Sequence, residues 1–138
     1  MTDGTPGSVL DASALLAFLQ AEAGREVVAD AFANRAVISV VNYAEVLSRL
    51  TDDGQEPYAL HRRLREQGLI GNLLAVIPLH EVDSLAIARL RPLTRAQGLS
   101  LGDRACLATA LRLAWPVITA NRSWATVDVG VTVQLIRS

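Results

Sequence analysis

The sequence predicts an α/β fold, a three-layer α/β/α sandwich around a mostly parallel central sheet. Three observations carry that expectation. Five short apolar runs alternate with longer stretches of helical periodicity, the pattern of successive strand–helix units. The apolar runs are continuous rather than alternating, as in strands covered by helices on both faces. Hydrophobic residues make up 51% of the 138-residue chain but aromatics only 4%, so the core has to be built from Ala, Val, Leu and Ile. The length suits one domain. No repeat, linker or low-complexity stretch divides it, and residues 1–138 are read as a single domain with a flexible leader over 1–7.

The elements follow in order. Val9-Leu10 ends a first strand, and "SALLAFLQAE" predicts a helix over 13–22. A second helix is expected over 24–34. "AVIS" (36–39) is a compact buried strand leading into a helix over 41–50. "PYALHRRLREQG" (57–68) opens on Pro57 and closes on Gly68, the usual helix punctuation. "LLAVIPL" (73–79) reads as a strand and "VDSLAIARLRPL" (82–93) as a helix. A long helix over 100–115, the strand "PVIT" (116–119) and a last strand over 131–136 complete the pattern.

Composition excludes several chemistries. All thirteen basic residues are Arg and none is Lys, which removes the phosphate-loop NTPases, Schiff-base enzymes and the receiver-domain switch. Cys106 is the sole cysteine, so neither an internal disulfide nor a cysteine-rich zinc site can form. A net charge of −1 gives no general attraction to nucleic acid; a polyanion would have to be held locally, by a metal or a few arginines. The polar start "MTDGTPGS" lacks the regions of a signal peptide. Arg112 and Pro116 interrupt the most apolar segment, so a cytoplasmic protein without a membrane span is expected.

Ligands of open parallel sheets bind outside the carboxyl ends of the strands, and polar residues collect at those exits here. Asp11 follows the first strand. Asn42 and Glu45 follow the second, three apart on one helix face. Thr119 ends the "VIT" strand with Asn121 close behind, and Asp103 opens the long helix ahead of it. Hard oxygen donors of this kind suit Mg²⁺ or Mn²⁺. Each residue also has a structural explanation. Asp11 can cap the following helix. Ser100 and Asp103 form an S-x-x-D capping pattern. Glu45 stands opposite the apolar stripe of Tyr43, Val46, Leu47 and Leu50, four before Arg49, as a surface ion pair would. A haloacid-dehalogenase-like phosphatase would need D-x-D where this chain has Asp11-Ala12-Ser13.

The stretches "VLDASALLAFL", "AVISVVNYAEVLSRL", "LSLGDRACLATALRLAWPVITANRSWA" and "VTVQLI" resemble PIN-domain ribonucleases, and among them the VapC toxins of bacterial toxin–antitoxin pairs. The resemblance runs from Val9 to Ile136. It implies a metal-dependent endoribonuclease with Asp11, Glu45 and Asp103 as its acidic, metal-holding residues and Ser13 and Thr119 as supporting hydroxyls. The family's fourth acidic position falls on Asn121, a departure that removes a charge. The resemblance further implies Mg²⁺ (or Mn²⁺) as cofactor, RNA as substrate, a homodimer, and a VapB-type antitoxin as inhibitor. The alternative is a catalytically weakened PIN module, lacking the fourth acid at Asn121, that acts mainly by binding an antitoxin. Among the remaining residues, Cys106 is expected in the core, His61 and His80 are given no role, and Arg62, Arg63 and Arg65 form a solvated helix face or touch RNA. Arg104 is expected to contact phosphate or to brace the acids.

Overall fold

A computed structural model of the chain describes residues 6–138. The elements are β1 (Ser8–Leu10), α1 (Ala12–Leu19), α2 (Arg25–Ala33), β2 (Ala36–Ser39), α3 (Val40–Asp52), α4 (Pro57–Glu66), β3 (Leu74–Ile77), α5 (Glu81–Leu93), α6 (Leu101–Leu113), β4 (Val117–Thr119) and β5 (Val133–Leu135). A 3₁₀ turn, Arg122–Thr126, joins β4 to β5. Of the expected leader, residues 1–5 lie outside the described residues, and Gly7 is buried with its backbone against Arg35 and Trp115. Among the described residues, no helix is long and apolar enough to cross a membrane.

The five strands form one sheet in the order β3-β2-β1-β4-β5, with every neighbouring pair parallel. Strand pleating explains why both faces are covered. Consecutive residues point to opposite sides, and here they feed two cores. Leu10, Ile38 and Ile118 pack with α1, α2, α3 and α4. Val9, Val37 and Val117 pack on the other side with Leu90 of α5 and with Cys106, Leu107 and Ala110 of α6. Continuous apolar runs such as "AVIS" are the sequence form of this two-sided burial.

The order has one functional consequence. From β1 the chain winds outward through β2 to β3, then returns to the other side of β1 to lay down β4 and β5. The winding direction therefore reverses between β1 and β4, and the crevice at their carboxyl ends is where such sheets take ligands.

Several boundaries differ from the sequence-based expectation. Helix α1 ends at Leu19 rather than 22, because the chain turns at Ala21 in a left-handed conformation (φ 54°). Helix α3 begins directly after β2, capped by Ser39 Oγ on the Asn42 amide at 3.1 Å, and runs to Asp52. The turn Arg122–Thr126 was not expected. It carries Trp124, fully buried against the α5–α6 side of the sheet.

Candidate active site

The site begins where β1 ends. Asp11 has an extended backbone (φ −86°, ψ 177°) that aims its side chain at the start of α1, and Oδ1 accepts the Ala14 amide at 2.9 Å. The Ser13 hydroxyl lies 2.8 Å from Oδ1 and 3.0 Å from Oδ2. The Thr119 hydroxyl, at the end of β4, donates to Oδ2 at 2.5 Å. Both hydroxyls are held in turn: Ser13 Oγ accepts the Ala120 amide at 2.9 Å, and Thr119 Oγ1 accepts the Asn121 amide at 3.0 Å. Capping and site formation are thus not alternatives for Asp11. One carboxylate caps α1 and ties β1 to β4 across the winding reversal. Its desolvation outweighs its hydrogen bonds: burial, aided by the nearby Asp103 charge, pushes its pKa up to about 6 despite three donors.

Glu45 comes from α3, on the far side of β1. The alternative surface ion pair with Arg49 does not form. Instead Glu45 Oε1 accepts from Asn42 Nδ2 at 2.9 Å. The same amide donates to the Gly102 carbonyl at 2.9 Å, while its oxygen takes the Ser39 hydroxyl at 2.6 Å. Asn42 is therefore a buried positioning residue, its oxygen already engaged, rather than a free oxygen ligand. Gly102 completes the arrangement. A Cβ there would run into the Glu45 carboxylate, so the absence of a side chain lets Glu45 reach the first turn of α6. Sequence reasoning passed over Gly102, although a glycine in the first turn of an alanine-rich helix is a signal of close approach.

Asp103 forms the expected capping box: its amide donates to Ser100 Oγ at 3.1 Å, and its Oδ2 accepts the Ser100 amide at 2.9 Å. One turn further along α6, the buried Cys106 thiol is pushed to higher pKa by burial and then by Asp11, Asp103 and Glu45. Three acids distant in sequence thus act on one point beneath the cleft. They do not close on each other; among the described residues, no three His, Cys, Asp or Glu side chains are disposed to hold an ion together.

The remaining candidates sort clearly. Asn121 caps the 3₁₀ turn, its Oδ1 accepting the Ser123 amide at 3.0 Å and hydroxyl at 2.8 Å. Arg104 does not brace the acids; it enters the α5–α6 interface and donates to the Ile87 carbonyl at 2.9 Å. His61 Nδ1 pairs with the Tyr43 hydroxyl at 2.7 Å, and the His80 amide donates to Asp83 at the start of α5.

A buried acid with a raised pKa weakens the fold at neutral pH. Between the ordinary value of 3.8 and its native value of about 6, Asp11 keeps a proton in the folded chain that the unfolded chain has released. Its penalty is therefore absent below about pH 3.8, accumulates between 3.8 and 6, and is complete above 6. In divalent-free buffer at about pH 7.5, Asp11→Asn is expected to stabilise the protein by roughly 2–3 kcal/mol, with the gain vanishing near pH 4. Thermal unfolding across pH checks this. A variant no more stable than wild type at neutral pH would refute it.

The PIN domain family matches residues 8–130. Among solved structures, the chain resembles a toxin–antitoxin complex from Klebsiella pneumoniae at 21% identity and TM-score 0.68, over 91% of this chain and 95% of that one. It resembles FitAcB from Neisseria gonorrhoeae at 24% identity and TM-score 0.69, over 94% and 97%. It also resembles DNA-bound VapBC from Salmonella typhimurium at 13% identity and TM-score 0.69, over 96% and 99%. No curated protein sequence matches. At these identities the structural likeness speaks for the fold. The family match spans residues 8–130, most of the length of the chain, and the chain belongs to the PIN domain family.

Proposed function

We propose that this chain is the endoribonuclease toxin of a toxin–antitoxin pair, a cytoplasmic homodimer that hydrolyses RNA phosphodiester bonds and is restrained by a VapB-type antitoxin. PIN domains are generally nucleases, and the resembling structures are toxin–antitoxin complexes. The observation that carries the reading is Asp11: a buried carboxylate held by two hydroxyls at the winding reversal, with Asp103 near enough to raise its pKa. A carboxylate so desolvated beside a second one calls for a cation.

Asp11 and Asp103 are the residues that would hold Mg²⁺ or Mn²⁺, with Glu45 completing the acidic rim. When bound, the ion supplies positive charge at the phosphate oxygens and makes a water molecule more acidic. The chain's own groups preorganise that site. Ser13 and Thr119 fix both oxygens of Asp11, and Asn42 fixes Glu45 over the first turn of α6. The Asn121 side chain, which spends its oxygen on the Ser123 turn, contributes no charge.

Cleavage of an RNA oligonucleotide under Mg²⁺ titration tests the reading. Asp11→Asn and Asp103→Asn are each expected to lower the rate on the order of a hundredfold or more while remaining folded. Undiminished cleavage by either variant would end the proposal. The missing fourth acid favours a second reading, a weakened nuclease whose main role is antitoxin binding. A large gain in rate for Asn121→Asp would support it, and an unchanged rate would dismiss it.

Gly102 gives a separate test of positioning. Ala in its place gains up to about 1 kcal/mol of helix propensity, yet its methyl group displaces Glu45. Gly102→Ala is therefore expected to unfold no earlier than wild type but to cleave more slowly. A variant with full activity would show that Glu45 does not act from that position.

A further inference from the structure

Arg104 is an unusual cation. It is only 6% exposed, its Nη1 is bound to a single carbonyl, and its Nε has no partner. Among the described residues the ion pairs are Arg112–Asp83 and Arg137–Glu22, so no carboxylate stands against it. A buried guanidinium left without a counter-charge is costly, unless an anion reaches it.

An opening for such an anion lies beside it. Arg104 lines a cavity of about 340 Å³ together with Arg91 at the end of α5, Arg95 in the following turn, and Ser100 and Leu101 at the start of α6. Arg91 and Arg95 are exposed and likewise have no carboxylate partner among the described residues. The capping box already engages the Ser100 and Asp103 amides at the start of α6, so that end contributes the positive end of the helix dipole. Three arginines and a helix start lining one hollow suit a phosphate group. Ser100 both lines the hollow and is hydrogen-bonded to Asp103, so the cavity adjoins the acidic site.

Resting on the nuclease reading above, we propose that this arginine cavity binds a phosphodiester of the RNA substrate next to the one that is cleaved. A chain with net charge −1 has no diffuse attraction for RNA. The cavity supplies that attraction locally and sets which phosphate meets Asp11 and Asp103.

The test uses the full chain carrying Asp11→Asn to suppress cleavage, with and without Arg91→Gln and Arg95→Gln, both at exposed positions. Single-stranded RNA binding is measured across salt concentrations, and thermal unfolding of the otherwise wild-type chain is measured with inorganic phosphate. The arginine changes are expected to weaken RNA binding roughly fivefold or more and to reduce the salt slope by about 0.7. They should also abolish a phosphate-induced rise in the unfolding midpoint. Arg104→Gln should act alike; if it fails to fold, the exposed pair still decides.

Unchanged RNA affinity and slope, with wild type still cleaving RNA, would overturn the proposal and leave the nuclease reading standing. Loss of the phosphate effect alone would assign the cavity to a free anion and overturn the RNA assignment. A wild type that neither binds nor cleaves RNA, yet is stabilised by phosphate, would refute the nuclease reading and this assignment while keeping the cavity as an anion site.

Discussion

The carboxylate of Asp11, buried at the end of β1, is the constraint around which the rest of the molecule is arranged. It accepts the first-turn amide of α1 and the hydroxyls of Ser13 and Thr119, so three elements meet on two oxygen atoms. Burial still wins, because hydrogen bonds from neutral donors replace only part of the water that a carboxylate loses. The fold therefore retains an unfavourable charge at the one crevice where its winding reverses. Such residual instability is a common feature of sites that act on charged ligands.

Electrostatic organisation is local throughout. Asp103 and Arg104 are adjacent in sequence and about 100° apart around α6, so the helix shows an acid to the cleft and a cation to α5. With Glu45 leaning over Gly102, the first turn of α6 lies between the acidic side chains of Glu45 and Asp103 and the buried guanidinium of Arg104.

Positioning comes from residues with no chemistry of their own. Asn42 lies wholly inside the protein and spends every polar atom of its side chain on Ser39, Glu45 and Gly102. Its acceptor partners fix the orientation of its amide, and that amide fixes Glu45. Gly102 acts by omission. Ser13 and Thr119 pass the order of the backbone at Ala120 and Asn121 back to Asp11.

Much of this was legible in the chain itself. Strand pleating and helical periodicity are local properties, so the five strands, six helices and parallel sheet followed from short windows of sequence. The strand-exit rule then pointed to Asp11, Asn42, Glu45, Thr119 and Asn121, with Asp103 opening the helix ahead of β4, without coordinates. Local patterns misjudged what depends on distant partners. Asn42, taken as an oxygen donor at the strand exit, is instead locked by the Gly102 carbonyl sixty residues away and by Ser39, with its amide turned to Glu45. Arg104 turned from the acids to Ile87, and the turn around Trp124 appeared where no periodicity marks it. By itself the sequence determined the fold class and which residues could carry charge to the sheet edge, since those depend on residue type and spacing. Only the tertiary structure decided which groups share a cleft, which stay unpaired and how Gly102 admits Glu45, because burial and close approach arise only when segments far apart in the chain are packed together.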